Sequence, residues 1–193
     1  MNCKKENKII AVCGVSGSGK TTLVHSLITN EELNLHFSIS ACTRERRKFE
    51  QDGKDYIFLS VPEFKKKIKN QMFLEWEEVY KNKFYGTLKN STYELLKSGK
   101  NVLFDIDVKG ALSLKNLFKD NALTIFVTPP SLEIARMRLA KRNTEELESY
   151  KLRSQKMDYE ISFSNKMDVT ILNSSLESSK FEILNIVKEF LKK

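Results

Sequence analysis

Five consecutive apolar residues, Ile9-Ile10-Ala11-Val12-Cys13, run directly into Gly14-Val15-Ser16-Gly17-Ser18-Gly19-Lys20-Thr21. No other stretch narrows the fold of this chain as far. An unbroken apolar run of that length predicts a strand buried on both faces, as in a parallel sheet covered by helices. The residues that follow fit G-x-x-x-x-G-K-[ST], and Leu23, Leu27 and Ile28 then recur at helical spacing across 21–29. Glycines let such a loop curl until successive N–H groups converge on an anion. The helix behind it contributes the positive end of its dipole. Lys20 can reach outer phosphates and the Thr21 hydroxyl can ligate Mg²⁺, so a nucleoside triphosphate is the expected ligand. An ordinary Gly/Ser turn is the competing reading, and the Lys-Thr pair at this offset between these flanks argues against it.

The bulk properties set the outer limits. A chain of 193 residues suits one domain with a sizeable core. With 40% hydrophobic and 30% charged residues it is globular, not disordered. No apolar run reaches the roughly 20 residues of a membrane span, so no membrane partner is expected. Met1 to Lys8 is basic and precedes an apolar run, as in a signal peptide, but that run is short and breaks into the phosphate loop; a strand is the better reading. Cys3, Cys13 and Cys42 have neither metal-like spacing nor an even count. The expected location is the reducing cytoplasm. The net charge of +8 comes from lysine scattered among Asn and Ile, which reads as a solvated surface, and no nucleic-acid motif accompanies it.

Further along, Leu35 to Ile39 is a short apolar segment leading into the basic run Ser40 to Lys48. A basic run is ordinarily a solvated loop, but this one follows a strand end, where ligands collect in α/β sheets. Tyr56 to Leu59 is extended, and Ser60-Val61-Pro62-Glu63 is a capping box opening a helix through about Lys69. Met72 to Thr87 is aromatic and strand-like, which predicts an antiparallel hairpin. Ser91-Thr92-Tyr93-Glu94 reads as the cap of a helix ending at Gly99. Val102 to Phe104 is a buried strand ending in Asp105-Ile106-Asp107. A helix over 110–118, a strand over 123–127 and a helix from Ser131 follow, the last carrying Arg136, Arg138 and Arg142. Residues 142–154 are charge-dense with nothing to bury. A strand over 169–172 and an amphipathic helix over 181–191 end the pattern. The fold class is α/β: a P-loop NTPase-type parallel sheet flanked by helices, with a mostly β insertion over about 40–88 and a polar, helical excursion over about 138–156. The core comprises about 1–39, 89–137 and 157–193.

In this order and at this spacing, the stretches Gly14–Thr21, Phe37-Ser38-Ile39-Ser40 with Thr43-Arg44, Gly53-Lys54-Asp55-Tyr56, Phe73-Leu74-Glu75-Trp76, Phe84-Tyr85-Gly86-Thr87, Asp105 to Gly110 and Pro129 to Glu133 resemble guanylate kinase, a nucleoside monophosphate kinase family. The resemblance covers the chain from Lys8 onward. It implies Mg²⁺-dependent transfer of a phosphoryl group from ATP to GMP, and also to dGMP, by a monomer or homodimer. It makes 40–88 a GMP-binding subdomain and 138–156 a lid over ATP. It implies that Gly14 through Thr21, Thr22 and Asn173 bind ATP, Asn173 near the adenine. It gives the GMP phosphate to Arg44 and Arg47 with the hydroxyls of Tyr56 and Tyr85, and places Ser40, Glu75, Thr87 and Asp105 at or beside guanine. Thr21 and Asp105 fall to the metal, the latter directly or through water. Lys20, Arg44, Arg138, Arg142 and Arg153 meet the transferring group.

The residue chemistry agrees with these roles. Two guanidinium forks suit a dianionic phosphate better than lysines do. One carboxylate, Glu75, can accept from both the N1–H and N2–H₂ of guanine, whereas adenine offers it a lone pair; the alternative is a surface glutamate beside Trp76. Asp105 ends a hydrophobic strand, where P-loop enzymes keep an acid near Mg²⁺ and where helix N-caps also occur. Asp107 is left open between the same two roles. Arg138 and Arg142 share a helix face, the alternative being pairing with Glu145, Glu146 and Glu148. His25 and His36 read as structural. The span between Glu75 and Tyr85 is one residue longer than usual in the family, which predicts a bulge. The rival from another class is a catalytically weak, peptide-binding scaffold module of the same fold; such modules tend to have lost the loop and lid arginines, and Lys20, Thr21, Arg138 and Arg142 are present here.

Overall fold

The computed structural model describes residues 7–141 and 155–193. In chain order the elements are β1 (Ile9–Gly14), α1 (Lys20–Ile28), β2 (Leu35–Phe37), β3 (Ala41–Cys42), β4 (Ile57–Phe58), α2 (Val61–Lys69), β5 (Phe73–Tyr80), β6 (Lys83–Leu88), α3 (Lys89–Lys97), β7 (Asn101–Asp105), α4 (Val108–Phe118), β8 (Ala122–Thr128) and α5 (Leu132–Lys141). After the undescribed 142–154 come α6 (155–161), β9 (Val169–Leu172) and α7 (Leu176–Lys192).

β1 lies at the centre of a five-stranded sheet ordered β2-β7-β1-β8-β9, in which every pairing is parallel. Its apolar run has no polar face because both faces are covered. Ile9, Ala11 and Cys13 pack with Ala111 and Leu114 of α4, Ala135 and Leu139 of α5 and Met157 of α6. The alternate residues Ile10 and Val12 pack with Leu23 and Leu27 of α1 and Ile183 and Val187 of α7. Period-two alternation thus divides one strand between two cores. The α/β fold class holds. Among the described residues no helix is long and apolar enough to cross a membrane.

A second sheet, ordered β4-β3-β6-β5, comes from the stretch between β2 and α3. Its own small core stacks Phe64 of α2 on Phe73 at 4.3 Å and on Phe84 at 5.5 Å between ring centroids. Ser60 closes the capping box of α2, accepting from the Glu63 N–H while Glu63 accepts from the Ser60 N–H. The β5–β6 hairpin is antiparallel and carries register shifts between Phe73 and Glu75 and between Glu78 and Tyr80, each advancing two residues of β5 against one of β6; the second falls in the span where a bulge is expected.

Two local expectations are corrected. Ser91 and Thr92 do not cap α3. The helix starts at Lys89, straight out of β6, with Leu88 at the N-cap, and both hydroxyls donate back to the Leu88 carbonyl. Local back-bonding of this kind competes with capping. The final helix begins at Leu176, not near Phe181, adding more than a turn before the amphipathic stripe.

Candidate active site

The carboxyl ends of β1 and β7 meet a cleft of about 310 Å³ that runs from the glycine-rich loop to the inner face of the β3–β6 sheet. Open parallel sheets place ligands at this edge. One wall is Gly14 through Thr21, the opposite wall holds Ser40, Arg44, Arg47, Tyr56, Glu75 and Tyr85, and Asp105 lies between them. The structure therefore brings fifteen of the sequence-predicted residues to one cleft. Thr22, Thr87, Arg138 and Asn173 are described but do not line it. Arg142 and Arg153 lie outside the described residues.

The loop takes its shape from what crowds it. Gly19 has φ +90°, and a Cβ there would run into the Asn173 amide. That amide donates to the Ser18 carbonyl at 2.6 Å while the Asn173 N–H donates to Thr128 at 2.8 Å. Asn173, 4% exposed, thus ties the loop to the end of β8 from behind. The resemblance expects adenine beside Asn173; in this structure one amide N–H is engaged by the loop. On the cleft side the Ser16 N–H donates to Glu160 of α6. Burial pushes the Glu160 carboxyl above the ordinary glutamate range, and Lys156 one turn earlier opposes that.

Lys20, the first residue of α1, forms an ion pair with Asp105 at the end of β7. Cation and anion hold each other where the glycine-rich loop meets the rest of the cleft. Asp107 settles into the other role open to it: its carboxylate caps α4, accepting from the Gly110 N–H at 2.8 Å, and still lines the cleft with Lys156 4.0 Å away.

In the second sheet, Arg44 is fixed from three sides. Its guanidinium makes a two-pronged contact to Glu50 at 2.6 and 2.5 Å and donates to the Glu45 carbonyl at 2.9 Å. It lies over the Tyr56 ring at 4.8 Å, and the Tyr56 and Tyr85 hydroxyls lie within its hydrogen-bonding range. Bonding to Arg44 first, and to the Arg47 N–H at 2.8 Å, lowers the Glu50 carboxyl to about 2. Burial pushes the Tyr85 phenol up to about 12, so both tyrosines keep their protons and remain donors.

Glu75 sits on β5 with 9% exposure. Thr87, directly across on β6, donates its hydroxyl to Oε1 at 2.6 Å, which explains why Thr87 is buried and absent from the cleft wall. Desolvation raises the Glu75 carboxyl to about 7, opposed by Thr87 and reinforced by Asp107 and Glu77. A dry carboxylate that lines the cleft while Thr87 holds one of its oxygens is a receptor for adjacent N–H donors.

Sequence reasoning missed Glu50, Lys156, Glu160 and Glu77. Glu50 had a signal, an acid six residues after Arg44 and just behind the cations Arg46, Arg47 and Lys48. Glu160 had a weaker one, a charge at helical spacing between Met157 and Ile161. Lys156 and Glu77, which reaches Lys109 at 2.6 Å, had none.

Comparison with known proteins agrees with this geometry. A family model described as Guanylate kinase matches residues 6–193. The guanylate kinase of Porphyromonas gingivalis is 45% identical over 186 residues, covering 96% of this chain and 99% of that protein. That of Chlorobaculum tepidum is 41% identical with 96% and 94% covered. The crystal structure of guanylate kinase from Anaplasma phagocytophilum superposes with a TM-score of 0.79 at 28% identity, covering 98% of this chain and 88% of that one.

Proposed function

Because the chain belongs to the guanylate kinase family, we propose that its cleft moves the γ-phosphoryl group of ATP to GMP with Mg²⁺, giving ADP and GDP. The observation that carries this reading is the single cleft with a phosphate loop on one wall and Arg44, Tyr56, Tyr85 and Glu75 on the other. The first wall holds the donor and the second the acceptor. We assign Arg44 and Arg47 to the GMP phosphate, Glu75 to guanine, and Lys20 to the donor phosphates. Arg138, with Arg142 and Arg153, is assigned to the charge that spreads over the transferring group. Holding both phosphates in line lowers the barrier by orientation, without a covalent enzyme intermediate. None of these assignments uses the ribose 2′-hydroxyl, so dGMP is included as an acceptor.

The donor set suits Mg²⁺. The Thr21 hydroxyl and the Asp105 carboxylate are hard oxygen ligands at the loop. Among the described residues no cluster of three or more His, Cys, Asp or Glu side chains forms a dedicated cage, which matches a cation that arrives with its nucleotide. When bound, Mg²⁺ supplies charge neutralisation on the β and γ phosphates. Asp105 would help to hold it once Lys20 turned from the ion pair to the donor phosphates.

The testing experiment is ADP formation from ATP with GMP, dGMP, AMP and UMP offered separately, with Mg²⁺ and with EDTA. GMP and dGMP should support turnover only with Mg²⁺. Equal turnover with AMP would remove the guanine-reading role, and no turnover with any acceptor would favour the scaffold alternative.

Glu50 enters as a support for Arg44. With Glu50→Ala the guanidinium loses its two-pronged partner and becomes free to rotate from Tyr56. The GMP KM is expected to rise about tenfold or more, since charge-assisted pairs carry about 1.5–3 kcal/mol, with the ATP KM within twofold. Steady-state kinetics with each substrate varied in turn checks this.

A further inference from the structure

Gly110 stands in the first turn of α4 with no left-handed φ to require glycine. Alanine is the better helix former, and glycine weakens a helix through the entropy its free backbone loses. What a Cβ would meet explains the choice. It would lie 2.7 Å from Glu75 Oε2 and 3.2 Å from Glu75 Cδ, with Asp107 Oδ1 at 3.3 Å. Ordinary van der Waals contact begins at 3.4 Å, so Glu75 Oε2 would have to retreat by about 0.7 Å.

We infer that Gly110 is a positioning residue for acceptor recognition: the missing side chain reserves the space in which the Glu75 carboxylate stands. The inference rests on Glu75 as the guanine reader. Thr87 holds Oε1 from the facing strand, and the bare first turn of α4 admits Oε2 from the other side. The carboxylate is thereby set between β6 and α4, and its free edge is turned to the cleft. Asp107 contributes by capping the same turn through the Gly110 N–H, which holds the helix end against β5. A methyl group at 110 keeps the N–H that makes this cap and asks Asp107 Oδ1, 3.3 Å away, to give by only about 0.1 Å. Its effect falls on the orientation of Glu75, and misplacement by about 1 Å in a bound complex can cost on the order of a hundredfold.

The experiment compares the parent protein with Gly110→Ala, Glu75→Ala and the double variant, measuring GMP KM, ATP KM, kcat and Tm. Gly110→Ala should keep or raise Tm and leave the ATP KM within twofold, while the GMP KM rises roughly ten- to a hundredfold. In the Glu75→Ala background, Gly110→Ala should change the GMP KM by less than twofold, because nothing remains to displace. A Gly110→Ala protein with the parent's GMP KM would overturn the inference, as would an equal penalty in both backgrounds. Should Gly110→Ala fail to fold, the double variant, which removes the collision, should fold; failure of both would assign the glycine to the helix itself and overturn the inference. A Glu75→Ala protein with unchanged GMP KM would instead overturn the guanine-reading role beneath it.

Discussion

Lys20→Ala should lose turnover on the order of 10³-fold while its KM for GMP stays near that of the parent. Removing one preorganised donor at developing charge typically costs 10²–10³ in kcat, and Lys20 is a full cation. Its ion pair with Asp105 adds to the loss. In the parent, each partner neutralises the other until nucleotide arrives, so both are present in charged form when the donor phosphates displace one from the other. Without the ammonium, Asp105 stays as an unpaired anion facing the incoming triphosphate, and the loop must bind against it. Lys20 stands on the donor wall with the glycine-rich loop, which is why GMP affinity is expected to survive. Steady-state kinetics against each nucleotide separates the two; a parallel rise in the GMP KM would argue that the walls are coupled through Lys20.

Glu75→Gln should collapse the preference for GMP over AMP by on the order of 10²–10⁴. Guanine gives two adjacent donors to one carboxylate, at about 1.5–3 kcal/mol for each charge-assisted bond, or about 3–6 kcal/mol together. Each 1.4 kcal/mol is tenfold. The amide replaces one acceptor with a donor, so it opposes guanine and can donate to the bare N1 of adenine. Sites that hydrogen-bond their substrate reject mismatched analogues by comparable factors.

The same substitution should stabilise the free protein in a pH-dependent way. Burial raises the folded Glu75 carboxyl from 4.5 to about 7, so the folded state resists its ionised form. Below about pH 4.5 both states are protonated and there is no penalty. As pH rises toward 7 the unfolded chain ionises while the folded one holds its proton, and stability falls; above 7 the penalty is complete. Glu75→Gln escapes it. Its Tm should exceed the parent's by several degrees at pH 8, and the difference should vanish near pH 4.5. Thermal melts across that range check the sign. By the same titration the parent's GMP KM should rise as pH drops below 7, since only the ionised carboxylate accepts from both guanine donors.

The sheet was legible because β1 encodes its own environment. An apolar strand with no polar face can only be central, and the glycine-rich loop after it points to the carboxyl edge of a parallel sheet. The second sheet was legible from its capping box and hairpin. What escaped were contacts that sequence spacing does not encode. Glu50 meets Arg44 through a loop closure, and Glu160 meets Ser16 across 144 residues. Asn173 reads as an ordinary polar strand end until its amide is found under Ser18. Gly110 illustrates the same limit from the other side. A glycine in a helical pattern looks like a tolerated weakness, and only the carboxylate on β5 gives it a reason.

On this reading both nucleotides occupy one cleft together and the phosphoryl group passes directly between them. Initial velocities measured with ATP varied at several fixed GMP concentrations test it most directly. Double-reciprocal lines that intersect are the predicted result, because both substrates must be bound before either product leaves. Parallel lines, with ADP released in a burst before GMP is added, would mean instead that the protein itself carries the phosphoryl group and that direct transfer is wrong.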